Sequence, residues 1–135
     1  MKTRVSRLLG VVAAQRSADQ GRLSACLAQQ RRLRNAAVAH FEAVRGVAPG
    51  QDAAGMIIAT AWQQHQRALG NAALAEAAEM DAQIQDLRSN LARSLGREQA
   101  VTLLVVTEHS EARRLVERRL EDTILFGRAD ILKSR

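Results

Sequence analysis

The side chains of this chain that are best suited to catalysis or metal binding are three histidines and one cysteine. His40, His65 and His109 lie far apart, and none has a second ligand at the spacing of a zinc site. The sequence contains no phosphate-binding glycine loop and no Gly-x-Ser-x-Gly segment. We therefore expect a protein that is not an enzyme, with no catalytic, cofactor-binding or metal-binding residues. His40 and His65 are expected at an interface between helices.

Cys26 is the only cysteine, so no disulfide can form within the chain. It falls beside Leu23 and Leu27 on an apolar stripe at helical spacing. A cysteine in such a position behaves as a small buried hydrophobic side chain rather than as a nucleophile.

The composition favours helices that pack closely around a thin core. Hydrophobic residues make up 47% of the 135 residues, yet there are only two Phe, one Trp and no Tyr. Ala, Leu and Val therefore supply most of the apolar surface, as they do in coiled coils and helical bundles. The sequence predicts a single all-α, coiled-coil domain over residues 1–135.

The first predicted helix spans about residues 4–46, where apolar residues recur at helical spacing. Gly46 and the Pro-Gly pair at 49–50 then form a strong stop signal. Residues 47–52 are the predicted loop. Asp52 at its end is suited to cap a second helix, because its carboxylate can accept from free backbone N–H groups.

The second predicted helix is longer and spans about residues 53–127. Its apolar stripe is predicted to begin with Ile58, Trp62, His65, Leu69 and Ala73. Its clearest amphipathic run is Met80, Ile84, Leu87, Leu91 and Leu95. Gly96 interrupts this run. The sequence predicts a long antiparallel two-helix coiled-coil hairpin, and a three-helix bundle with a turn near Gly96 is the alternative.

A short loop requires the two helices to lie antiparallel, which places residue i opposite roughly residue 98 minus i if the loop is centred on residue 49. In this register Arg16 lies near Asp81, and the helix beyond Gly96 has no partner. That segment nevertheless carries many large apolar residues, which are not left in water without a reason. It folds back as a third helix, pairs with a second copy, or inserts into a different protein.

The net charge of +6 makes a basic helical nucleic-acid binder an alternative function. Arginines cluster at residues 31–34 and again at 113–119. In the second cluster acidic residues alternate with the arginines, which favours ion pairs along a solvated helix. The chain also lacks an aromatic platform for bases. We therefore expect protein partners and not nucleic acid.

The basic N-terminus resembles the start of a signal peptide, because Lys2, Arg4 and Arg7 precede a short apolar run. The helical pattern continues straight through that run, which favours a structural helix. No apolar run approaches the ~20 residues of a membrane span. A cytoplasmic location is expected, or a peripheral one at the inner face of the cell membrane.

Four segments together resemble the FliJ family, the small coiled-coil proteins of the flagellar type III export apparatus. The basic start at residues 2–9 leads into a Gln- and Ala-rich helix. Residues 40–45 look like the family's aromatic-x-x-x-aromatic-Arg stretch, and residues 61–65 contain the Trp of the second helix. Residues 113–121 are similar to the family's charged C-terminal half with its spaced leucines.

The resemblance implies a non-catalytic stalk or adaptor, similar to the γ subunit of rotary ATPases. Such a protein binds a hexameric export ATPase through its paired terminal helices and the export-gate membrane protein near the hairpin tip. The residues implied at the gate are His40, Val44, Trp62 and Leu69. The residues implied at the ATPase are Arg4, Arg7, Leu115 and Leu120. Val44 stands where the family has an aromatic residue.

We expect the chain to be a monomer, with export chaperones as further partners. An export chaperone, or another protein-binding three-helix module, is the alternative function. The three functions differ in what binds: an ATPase ring, an unfolded export cargo, or a nucleic acid.

Overall fold

The structure, a computed structural model, describes residues 3–48 and 50–133, which form two helices. Helix α1 is Arg4–Arg45, with 42 residues, and helix α2 is Ala53–Lys133, with 81 residues. No residue of the described ranges is in a strand, so the predicted all-α hairpin with a longer second helix is confirmed. Lys2 of the basic start and Pro49 of the stop signal lie outside the described residues.

Both helices begin at a side-chain cap. The backbone N–H of Ser6 donates to Thr3 Oγ1 at 3.1 Å, and the N–H of Gly55 donates to Asp52 Oδ1 at 2.6 Å. Each cap satisfies a backbone donor that the first helical turn leaves without an intrahelical acceptor. The predicted capping role of Asp52 is therefore confirmed.

Helix α2 continues through Gly96, so the alternative of a turn at that residue is wrong. No heavy atom lies within 4 Å of the place where a Cβ on Gly96 would stand. A helical Gly costs only about 1 kcal/mol relative to Ala. That cost does not break a helix whose neighbouring residues Ser94 and Glu98 are covered by packing.

Two glycines of α2 should respond differently to replacement by alanine. Gly96→Ala is expected to raise the free energy of unfolding by about 1 kcal/mol, because the new methyl group meets open space. On Gly70 a Cβ would lie 2.8 Å from two ring atoms of Phe41, so the collision should offset the gain. Urea denaturation of both variants measures the difference. Equal stabilisation would contradict the packing of Phe41 on Gly70.

The covered residues of α2 follow a seven-residue repeat. From residue 59 to residue 108 the buried and half-buried positions are spaced alternately four and three residues apart. A row of covered residues in α1 has the same spacing, from residue 5 to residue 44. This spacing is typical of the knobs-into-holes packing of a coiled coil. We call these positions the seam.

At the start of α2 the seam differs from the predicted apolar stripe. The large residues of that stripe are exposed, and the covered positions are one residue further along: Ala59, Gln63, Gln66 and Gly70. Its last member, Ala73, is half-buried and lies on the seam as predicted. Small seam residues leave room for large side chains of α1. The ring of Phe41, for example, packs against Gly70. The predicted run from Met80 to Leu91 lies on the seam, whereas Leu95 is exposed and Ser94 takes its place.

Contacts divide the chain into two units. The loop unit is Ser17–Arg93, and the terminal unit is Met1–Arg16 with Ser94–Arg135. Each unit contains parts of both helices, and each has polar side chains at seam positions.

In the loop unit, two polar side chains of α1 cross to α2. Gln30 is only 5% exposed, and its Nε2 donates to Ala77 O at 2.9 Å and to Asp81 Oδ1 at 2.6 Å. Nδ1 of His40 lies 2.7 Å from Gln66 Oε1, which is an acceptor, so the ring nitrogen donates. Polar seam residues of this kind favour one register, because a shift of the helices would leave them buried without partners.

In the terminal unit, the guanidinium Nε of Arg16 donates to Glu98 Oε2 at 2.8 Å. This hydrogen bond, together with the negative charge of Glu98, raises the pKa of Arg16 above its ordinary value. The ion pair joins the N-terminal part of α1 to α2.

The register differs from the predicted one, because Arg16 lies opposite Glu98 and not near Asp81. The loop explains the shift. Gly50 lies so close to the backbone of Gly55 that a side chain would have no room there. The loop therefore runs back along the first turn of α2, and α1 pairs with residues further along that helix.

The shifted register extends the covered part of α2 well past Gly96. Val101 is buried, and Ser110 is the last half-buried residue of the helix. The exposed C-terminal part therefore begins at residue 111 and not directly after Gly96. We call residues 111–133 the overhang, and every one of these residues is exposed.

Candidate protein-binding surfaces

The four residues implied at the export gate lie in the loop unit but do not form one exposed face. His40 and Val44 are half-buried seam residues, and His40 is hydrogen-bonded to Gln66. Trp62 and Leu69 are exposed on α2. The predicted interface position of His40 is confirmed. His65, predicted at the same interface, is exposed, so that prediction is wrong.

The first turns of α2 present an apolar surface that the sequence interpretation missed. Met56, Ile57 and Ile58 are consecutive and all exposed, and Trp62 follows one turn later. A shallow recess of about 340 Å³ lies beside Met56 and Ile57. We call Met56, Ile57, Ile58 and Trp62 the tip surface. Three consecutive large apolar residues could have revealed it, because successive helical residues cannot all face one seam.

The four residues implied at the ATPase lie in the terminal unit, and all are exposed. Arg4 and Arg7 stand in the first turns of α1, whereas Leu115 and Leu120 belong to the overhang. Five residues of an α-helix correspond to a rotation of about 140°. Leu115 and Leu120 therefore lie on different faces of α2.

One face of the overhang carries an apolar stripe. Val116, Leu120 and Ile124 are spaced four residues apart, which places them on the same side of the helix, and all three are exposed. We call these three residues the outer stripe. It contains one of the two leucines that were implied at the ATPase.

A second face of the overhang continues the spacing of the seam. Counting on from Glu108 in steps of four and three leads to Ala112, Leu115, Arg119, Asp122, Phe126, Ala129 and Lys133. We call the residues from Ala112 to Lys133 in this series the distal seam. Its large apolar members are exposed, with Phe126 at 74%. Leu115 belongs to this face.

The overhang is therefore apolar on several sides, since Leu125 and Leu132 lie on a third face. Helices that are apolar all round are enclosed by other protein or by lipid. Six basic and five acidic residues are mixed along the overhang, whereas residues 3–48 carry eight basic and two acidic ones. Mixed charge of this kind favours a protein partner over the uniformly negative backbone of a nucleic acid.

Four recesses among the described residues of α2 are open and are each lined by one stretch of the helix. The recess of about 330 Å³ beside Val116, for example, is lined by residues between His109 and Glu117. In the part of the chain that the structure describes, no three metal-binding side chains gather. Within residues 3–48 and 50–133, neither helix contains a stretch long and apolar enough to cross a membrane.

Comparison of the chain with protein-family models, with curated proteins and with solved structures gave no match.

Proposed function

We propose that this chain is a non-catalytic stalk or adaptor of a flagellar-type protein export apparatus, and that it binds the export ATPase ring through its overhang. One observation carries the proposal: residues 111–133 are exposed throughout, yet they bear large apolar side chains on several faces. The class of the partner comes from the resemblance of the sequence to the FliJ family.

A helix inside a ring is contacted from all sides, and the overhang is suited to such a site. Burying a large apolar side chain contributes about 1.5–3 kcal/mol, so several such residues can offset the cost of association. Arg4 and Arg7 are exposed in the same unit and add positive charge to it. In this proposal they face acidic groups of the ATPase.

The tip surface supplies the second contact, with the export gate. Its three consecutive apolar residues and Trp62 are exposed in the loop unit, in contrast to the half-buried His40 and Val44. Aromatic residues and Met are enriched at the cores of protein interfaces. We therefore assign the gate contact to Met56, Ile57 and Trp62 in place of the two seam residues.

Titration of an assembled export ATPase with the purified chain tests this function. ATP hydrolysis should rise to a plateau as the chain is added, and the chain alone should hydrolyse no ATP. An unrelated helical protein of similar net charge is the control for non-specific stimulation. Hydrolysis that stays unchanged over the whole titration would overturn the proposal. A stoichiometric complex with an unfolded export substrate, formed instead, would support the chaperone alternative.

A further inference from the structure

The distal seam fits a second copy of itself. We propose that two copies of this chain pair through their distal seams as an antiparallel, two-fold symmetric coiled coil whose axis passes between Leu120 and Glu121. This inference goes beyond the proposed function and does not depend on the ATPase.

Continuity with the seam within the chain is the first observation. Helix α2 is unbroken from the seam to Lys133, so the side of the helix that packs against α1 continues into residues 111–133. Beyond Ser110 that side of the helix is exposed. A second helix can therefore pack along the line that α1 leaves uncovered.

Charge complementarity is the second observation. Rotation about the proposed axis places residue i opposite residue 241 minus i of the second copy. Arg119 then faces Asp122 of the second copy, and Asp122 faces Arg119 of the second copy. Both charged residues in the middle of the distal seam thus meet the opposite charge.

The uncharged positions of the distal seam also match in size. Leu115 faces Phe126 of the second copy, and Ala112 faces Ala129 of the second copy. In an antiparallel coiled coil, an a position of the seven-residue repeat faces a d position of the other helix. Both pairs meet this requirement, because Ala112 and Phe126 are a positions and Leu115 and Ala129 are d positions. The pairing therefore covers Leu115 and Phe126, which are among the exposed large residues of the overhang.

Parallel pairing of the same two faces is disfavoured by the same residues. In a parallel dimer Arg119 would face Arg119 of the second copy, and Asp122 would face Asp122 of the second copy. Like charges at facing positions destabilise such a pair and suppress the wrong arrangement. The outer stripe is not used in the antiparallel dimer, so Leu120 and Ile124 remain accessible to another partner.

Disulfide formation between two single-cysteine variants tests the orientation. The background is the full-length chain with Cys26→Ala, which contains no cysteine. Two variants are made in this background, one with Ala112→Cys and one with Ala129→Cys, and both alanines are exposed. A mixture should form a disulfide between the two variants under mild oxidation. Each variant alone should cross-link much more slowly, because copies of one position lie about 25 Å apart along the antiparallel axis. Faster cross-linking of each variant with itself would overturn the orientation.

Sedimentation equilibrium with charge variants tests the pairing itself. The wild-type chain should dimerise reversibly, and Arg119→Asp should raise the dissociation constant at least about tenfold. The double variant Arg119→Asp with Asp122→Arg should restore the wild-type value, because both charges are exchanged. Arg114→Asp, which makes the same charge change outside the seam, is the control and should leave it unchanged. A wild-type chain that remains monomeric up to about 1 mM, or a double variant without rescue, would overturn the proposal.

Discussion

Replacing Ile84 by Ala should lower the free energy of unfolding by about 3 kcal/mol, whereas the same change at Ile58 should alter it by less than about 0.5 kcal/mol. Ile84 is 4% exposed and lies on the seam of the loop unit, so its removal leaves a cavity between the helices. Ile58 is 69% exposed. The two substitutions delete the same atoms from the same helix, and only the packing around them differs.

Urea denaturation followed by circular dichroism measures both values. The dependence of the free energy of unfolding on urea concentration should be the same in the variants and the wild type, which checks that unfolding remains a single transition. Measurement at a low chain concentration keeps dimerisation out of the comparison. If Ile58→Ala were as destabilising as Ile84→Ala, the seam at the start of α2 would run through Ile58 and not through Ala59.

Ile124→Asp should weaken binding to the export ATPase about thirtyfold or more, since a charge placed on the outer stripe must be desolvated on docking. Ile57→Asp is the matched control. Both isoleucines are exposed, at 58% and 70%, and both lie on α2. Because Ile57 belongs to the tip surface, its substitution should leave ATPase binding unchanged and weaken binding to the gate.

The affinity of each variant is measured for the ATPase and for the gate. Ile124→Asp should lose affinity for the ATPase alone, and Ile57→Asp should lose affinity for the gate alone. Neither variant should change the free energy of unfolding by more than about 0.5 kcal/mol, because both side chains are on the surface. Ile124 is also outside the distal seam, so its substitution should leave dimerisation intact. Equal losses at the ATPase from the two variants would show that the overhang is not the docking segment.

Local signals were sufficient to predict where both helices begin, whereas α2 ends at Lys133 and not near residue 127 as predicted. The Gly-rich stop after residue 45 and the N-cap Asp52 are set by short-range backbone chemistry, and both helix starts were placed correctly. Between residues 80 and 91 the seam consists of large aliphatic residues, so its period was readable from the sequence.

Where the seam is small or polar, hydrophobic periodicity gave the wrong face. Gln30, Arg16 and Ser94 are seam residues, yet a polar side chain carries no periodic signal until its partner on the other helix is known. At the start of α2 the larger residues suggested a stripe one position away from the true seam of Ala59 and Gly70. Packing between the helices overrides amphipathicity there.

The candidate sites could be predicted only in part, because they depend on the register. The sequence predicted that the exposed C-terminal segment begins directly after Gly96. In the structure it begins at residue 111, because the loop runs back along α2. A loop conformation of this kind arises from close backbone contact at Gly50, which composition does not reveal. The separate faces of Leu115 and Leu120 follow directly from helical geometry.

Hydrogen exchange of the full chain, measured with and without the assembled export ATPase, tests most directly whether the overhang is the docking segment. In the free chain, below the concentration at which it dimerises, residues 111–133 should exchange faster than the seam residues between 73 and 94, because few apolar contacts cover them. Addition of the ATPase should slow exchange in residues 111–133 and leave residues 73–94 unchanged. Exchange in residues 111–133 that stays the same in a saturated complex would contradict the proposed function.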